Sequence, residues 1–185
     1  MDFVELIVAV HLHLETADIT HAFGGALALG YVAEPRGTAD IDVNVFLPAD
    51  DLEPVIAALA PLGYRPVAPS EERVPIAGVR FEHDAEPFPV DVFPSLHERY
   101  RETERRRVLH PFGRGGHILP FLSAEDLCVF KLSFGRAKDW VDLAAIADSG
   151  QDLDVDYVEE QLVALRGPTM YPEAARLRAL LRARR

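Results

Sequence analysis

A chain of 185 residues with 49% hydrophobic and 26% charged residues is long enough for one medium domain or two small lobes around a real core. Its formal net charge of −11 excludes a broad nucleic-acid-binding face, so any polynucleotide contact is expected to be local. A single cysteine, Cys128, excludes a disulfide framework and fits a reducing cytoplasm; no apolar run reaches transmembrane length, and Asp2 and Glu5 stand where a signal peptide carries positive charge.

Residues 2–15, DFVELIVAVHLHLE, place Phe3, Leu6, Ile7, Val10 and Leu14 at helical spacing. His11 and His13 lie two apart, cannot share a helix face, and read as incidental. The segment HAFGGALALGYVAEPRGTADIDVNVF, residues 21–46, then runs strand, glycine pair, helix, strand. Gly24 and Gly25 let backbone N–H groups approach a phosphate, and the helix start behind them adds a positive dipole end. In the alternating strand ADIDVNVFL, Asp40 and Asp42 leave the same face. Two adjacent carboxylates repel unless a cation lies between them, so the pair points to a divalent metal beside a phosphate cradle. Either motif alone is commonplace; a solvated D-x-D strand face is the bland alternative.

The wording R-G-T-A-D-I-D, from Arg36 through Thr38 to Asp42, resembles the nucleotidyltransferase superfamily, and within it the AbiEii-type toxin branch, which usually carries Ser where this chain has Thr38. The fourteen residues between Gly25 and Asp40 make the spacing slightly long for that pattern.

Asp50 is expected to cap a helix over DLEPVIAALAPLG, and Tyr64–Val67 to form a short strand. VPIAGVRFEHDAEPFPVDVFPS reads as two strands joined by an acidic turn. In the second, Asp91 sits between Val90 and Val92, a costly place for a carboxylate unless the sheet brings it to a metal; the resemblance matches it to a third carboxylate, against the alternative of a strand-edge Asp facing water. Residues 96–109 read as one charged helix whose Arg105-Arg106-Arg107 end could meet a phosphate-bearing acceptor. Residues 110–122 read as an irregular, glycine-rich connection between lobes.

Ser123 with Asp126 gives a cap for the helix AEDLCVFKLSF, in which Cys128 is a core residue and Lys131 is a charge in an apolar run. Lys131 and Lys138 are the only lysines beside seventeen arginines, which suggests that a compact ammonium is required there. A second helix begins at GRAKDWVDL with Arg136, Lys138, Asp139 and Asp142 clustered near its start. A surface ion pair would account for Lys138 and Asp142 but not for Lys131. Two further helices, 154–166 and 172–183, complete the chain. The K-x4-R-x-K-D-x-x-D-L string resembles the second block of the AbiEii-type families, in which the lysine contacts nucleotide phosphates and acidic residues support the site.

The resemblance implies an α/β (α+β) nucleotidyltransferase fold, a mixed sheet flanked by helices, with an α/β lobe over 1–120 and a helical lobe over 121–185. It implies an enzyme that moves a nucleoside monophosphate from an NTP to an acceptor hydroxyl with Mg2+ or Mn2+. Asp40, Asp42 and Asp91 would hold metal. Gly24, Gly25, Arg36, Thr38, Lys131 and Asp139 would bind the nucleotide, Lys131 neutralising the departing pyrophosphate. The acceptor stays open among a tRNA 3′ end, as in the toxins and with an antitoxin as partner, a small molecule such as an aminoglycoside, which the net acidity would attract, and a protein hydroxyl. A non-catalytic scaffold of the same fold is the rival reading, against which all three carboxylates speak.

Overall fold

The computed structural model describes residues 1–67 and 78–184. Helix α1 (Phe3–Thr16) opens on a capping box in which the Asp2 side chain accepts from the Glu5 N–H and Glu5 reaches back to the Asp2 N–H. Strand β1 (His21–Phe23), helix α2 (Gly25–Val32) and strand β2 (Ile41–Pro48) follow in the order that the glycine pair and the alternation dictate. Helix α3 (Glu53–Leu59) starts three residues later than Asp50 and has no side-chain cap; Pro54 in its first turn, with φ already fixed, sets the start instead. Strands β3 (Arg65–Pro66), β4 (Val79–Glu82) and β5 (Val90–Ser95) come next. The part of the expected first strand before Gly78 lies outside the described residues.

The charged helix expected over 96–109 is only the six-residue α4 (Tyr100–Arg105), and the expected irregular connection is a β-hairpin, β6 (Val108–Phe112) with β7 (His117–Phe121). Glycines at positive φ, Gly113 and Gly116, make its turn. The run Arg105–Arg107 therefore straddles a helix end and a strand start, and internal partners occupy it. Arg105 pairs with Glu102, Arg106 with Glu125, and Arg107 donates to the carbonyls of Glu104 and His21. The remaining elements described are helical: α5 (Ala124–Phe134), α6 (Ala137–Asp148), α7 (Val155–Arg166) and α8 (Tyr171–Ala183). Ser123 caps α5 as expected, accepting from the Asp126 N–H, and Cys128 is fully buried, its thiol pushed up to about 12 by burial. No helix among the described residues is long and apolar enough to cross a membrane.

The sheet runs β3-β4-β5-β2-β1-β7-β6, with β2 parallel to β5, β1 parallel to β7, and the other pairs antiparallel. Along β2, Ile41, Val43 and Val45 are fully buried, and along β5 so are Val90 and Val92. With period two, that burial leaves Asp42 and Asn44, and Asp91 and Phe93, together on the other face.

His11 is not incidental. It is buried on α1, and its Nδ1 lies 3.0 Å from Nε2 of buried His21, whose Nδ1 lies 2.8 Å from the carbonyl oxygen of Ile19. A carbonyl only accepts, so His21 carries its proton on Nδ1 and accepts from His11 on Nε2. Burial, aided by the nearby His11 and Arg107, pushes His21 down to about 4. A histidine held neutral in the fold but titrating near 6.5 when unfolded loses stability as pH falls through 6.5 toward 4, because the unfolded chain then binds more protons. Denaturant unfolding should show the wild type losing about 2–3 kcal/mol more than His21→Gln between pH 7 and pH 4. Parallel profiles would show that the pair carries no linkage.

Candidate active site

Parallel pairing of β2 with β5 sets Asp42 directly opposite Asp91, and Asp40 stands immediately before β2. One oxygen from each of the three carboxylates lies within 4.8 Å of the others. Such a cluster of negative charge in a half-buried cleft is unfavourable by itself. Asp42 is pushed up to about 6, first by desolvation and then by Asp40 and Asp91, with Lys138 and Lys131 opposing. Three carboxylate oxygens at this spacing suit a hard divalent cation such as Mg2+ or Mn2+, which would remove that repulsion. Thr38 donates its hydroxyl to an Asp40 oxygen at 2.5 Å, and Arg80 reaches Asp91 at 3.5 Å, so the outer carboxylates have orienting neighbours.

The glycine pair lies against the same cluster. The Gly24 N–H donates to the carbonyl of Asp42 at 2.9 Å. Gly25 has φ of +52°, and a Cβ there would come within 1.7 Å of Asp42 Oδ2. Glycine is thus required at 25 twice over, by backbone conformation and by the approach of the carboxylate. Gly25→Ala should cost about 1–3 kcal/mol of stability and displace Asp42; a variant that unfolds with the wild type and keeps its metal response would contradict this packing.

Helices α5 and α6 close the cleft from the other side, and Gly25, Arg36, the three carboxylates, Lys131, Arg136, Lys138 and Asp139 all line it. Asp142 is not a surface partner of Lys138. It is 2% exposed and accepts from Lys131 Nζ at 2.6 Å and from Arg36 through Nε at 2.8 Å and Nη2 at 2.9 Å. These hydrogen bonds hold its pKa below the ordinary range against the desolvation that would raise it. Asp142 therefore explains why a lysine lies in the apolar helix α5, and it ties the loop before Asp40 to both helices. Asp139 is likewise buried, its oxygens taken by Arg136 at 2.7 and 3.1 Å. Lys138, exposed at the cleft edge, makes no ion pair among the described residues. Of the cleft's ammonium and guanidinium groups among the described residues, Lys138 is the one without an ion pair and so left for a ligand, and its i,i+4 spacing to Asp142 masked that in the sequence. Asn44, two residues beyond Asp42 on the same face, also lines the cleft and had no motif to mark it.

Neither a family model nor a curated protein matches the chain by sequence. Solved structures do match it in fold. The antibiotic-resistance factor ANT(2″)-Ia, in its solution structure, aligns over 94% of this chain and 96% of its own at 17% identity and a TM-score of 0.63. An antigenic nucleotidyltransferase-like protein from Paracoccidioides brasiliensis aligns over 97% and 92% at 16% identity and 0.53. The lincosamide antibiotic adenylyltransferase LnuA, lincomycin-bound, aligns over 79% and 96% at 15% identity and 0.50. The fold is thus that of the nucleotidyltransferases: a mixed α/β domain whose sheet carries the acidic cleft and whose later helices cover it.

Proposed function

We propose that the chain is a metal-dependent nucleotidyltransferase that moves a nucleoside monophosphate from an NTP to the hydroxyl of a small-molecule acceptor. The observation that carries this reading is the convergence of Asp40, Asp42 and Asp91 within 4.8 Å, against a glycine turn that only glycine can make. Mg2+ or Mn2+ bound by the three carboxylates would supply charge stabilisation at the transferring phosphoryl group and lower the pKa of the acceptor hydroxyl.

The chain's own residues do the rest. Gly24 and Gly25 let the phosphates lie close to the backbone at the start of α2. Asp91, at the β5 side, orients the acceptor hydroxyl or takes its proton. The new bond joins the acceptor oxygen to the α-phosphorus, the α–β bridge breaks, and the electron pair leaves with pyrophosphate. Lys138 meets that leaving charge directly. Lys131 and Arg36, sharing Asp142, add a net positive charge behind it, and Thr38 orients Asp40. Asp139 fixes Arg136 at the cleft edge.

Small-molecule acceptors are favoured by the solved structures of like fold, which bind adenylyl-2″-tobramycin and lincomycin. The toxin-like reading, a tRNA 3′ end with an antitoxin partner, comes from the AbiEii-type resemblance with the arginine run as its added support, and those arginines are engaged within the chain. Incubation with each α-labelled NTP, Mg2+ or Mn2+, and separate pools of aminoglycosides, lincosamides, total tRNA and protein decides between them. Label should move to a small molecule and depend on the metal; label on tRNA alone would return the toxin-like reading, and no label in any pool would favour a scaffold.

A further inference from the structure

Beyond the carboxylates, the cleft has a second half made of rings. Phe93, two residues after Asp91 on the same face of β5, packs edge-on against Phe134 at 5.8 Å, and Phe130 packs against Tyr100 at 5.6 Å. Phe130 and Phe134 lie one helical turn apart on α5, and all three phenylalanines are only half-buried. They wall two neighbouring cavities of about 100 Å³ each, one containing the carboxylates and one bordered by His97, Tyr100 and Arg166. No carboxylate lines the second cavity among the described residues.

The sheet order gives this aromatic compartment a place in the reaction. Across β1, β2 and β5 the order is glycine turn, Asp42, then Asp91 with Phe93. Entering and leaving oxygens must lie on opposite sides of the phosphorus. Phosphates held at the glycine turn thus send pyrophosphate toward β1 and admit the acceptor from the β5 side, past the phenylalanines. Resting on the nucleotidyl-transfer reading, we propose that Phe93, Phe130 and Phe134 form the acceptor subsite, selecting a hydroxyl compound with an uncharged flat or apolar ring over a polycationic one. The chain's overall acidity would draw a polycation, but the acidic residues described in the cleft converge on the metal position, and the cavity where the acceptor's body lies presents Arg166 and, among the described residues, no carboxylate. Ring stacking on such walls contributes enough to decide between acceptors, and an ammonium placed beside Arg166 meets a like charge.

The test titrates 4-nitrophenyl β-galactoside, methyl β-galactoside and tobramycin into protein loaded with Mn2+ and a non-hydrolysable NTP analogue. Phe93→Leu and Phe134→Leu, which keep most of the apolar volume, are run beside the wild type, and the nucleotide-induced shift in melting temperature is followed separately. The aryl glycoside should bind at least tenfold more tightly than either other compound. Each leucine variant should lose about fivefold or more of that preference while keeping the full nucleotide shift. Tighter binding of tobramycin, or no gain from the aryl ring, with the nucleotide shift intact would overturn this inference and leave nucleotidyl transfer standing. Leucine variants that lose the nucleotide shift and keep aryl binding would assign the rings to the nucleobase instead. A wild type with no nucleotide shift would sink both readings together.

Discussion

Replacing Asp42 by Asn should abolish nucleotidyl transfer, by about 10³-fold or more, while leaving the metal-free protein as stable as the wild type or slightly more so. The two halves of that result have one cause. Asp42 faces Asp91 across the β2–β5 pairing, stands two residues from Asp40, and is pushed up to about 6 by desolvation and by those two charges. Without metal the third negative charge is a burden, so its removal relieves repulsion. With metal it is the central ligand, and a loss of about 4 kcal/mol of transition-state stabilisation is a factor of about 10³. The same linkage predicts that, relative to Asp42→Asn, the wild type gains stability as pH falls from 7 toward 4, since a carboxyl raised in the fold is favoured by protonation. That gain opposes the loss expected from His21, so the two variants should be compared singly with the wild type. A destabilised Asp42→Asn protein would mean that the carboxylate is a structural acceptor, and full activity would place the chemistry elsewhere.

Lys131→Met and Lys138→Met should separate two lysines that the sequence places in one block. Lys138 is exposed and without an ion pair among the described residues, so Met there should leave the unfolding transition unchanged and lower transfer by about 10²-fold, through lost charge on the leaving pyrophosphate. Lys131 is buried on Asp142, with Arg36 as the second partner. Met keeps the apolar stem but leaves Asp142 to Arg36 alone, and breaking a buried pair from one side is costly. Lys131→Met should therefore lose about 1–3 kcal/mol of stability as well as activity. Asp142→Asn, which strips both cations of their shared acceptor, should cost about 3–5 kcal/mol. Kinetics beside chemical denaturation check all three. A Lys138→Met enzyme with full kcat and KM would shift the phosphate-facing role back to Lys131.

The acidic centre was legible because strand alternation is local: Asp40 and Asp42 declare a shared face by their spacing, and Asp91 stands out among Val90, Val92 and Phe93. Gly25 was legible as a turn, but the closeness of Asp42 that makes glycine obligatory is a contact across the sheet. What local pattern could not show are partners set by the fold. Asp142 reads as an i,i+4 neighbour of Lys138, yet its side chain turns inward to Lys131 on α5 and to Arg36 in a distant loop. His11 meets His21 only because α1 lies against the start of β1. The hairpin over Val108–Phe121 was hidden by the charge run before it and by Pro111 in β6, which argues against a strand except at a sheet edge, where β6 lies.

Manganese binding at the carboxylates tests the account most directly. Titrated with a non-hydrolysable NTP analogue, the wild type should take up Mn2+ at the three carboxylates, read as the change in the manganese paramagnetic resonance signal on binding. Asp40→Asn combined with Asp42→Asn should lose that signal and the accompanying rise in melting temperature. An unchanged bound-manganese signal in the double variant, or nucleotide binding to the wild type with no manganese taken up, would contradict it.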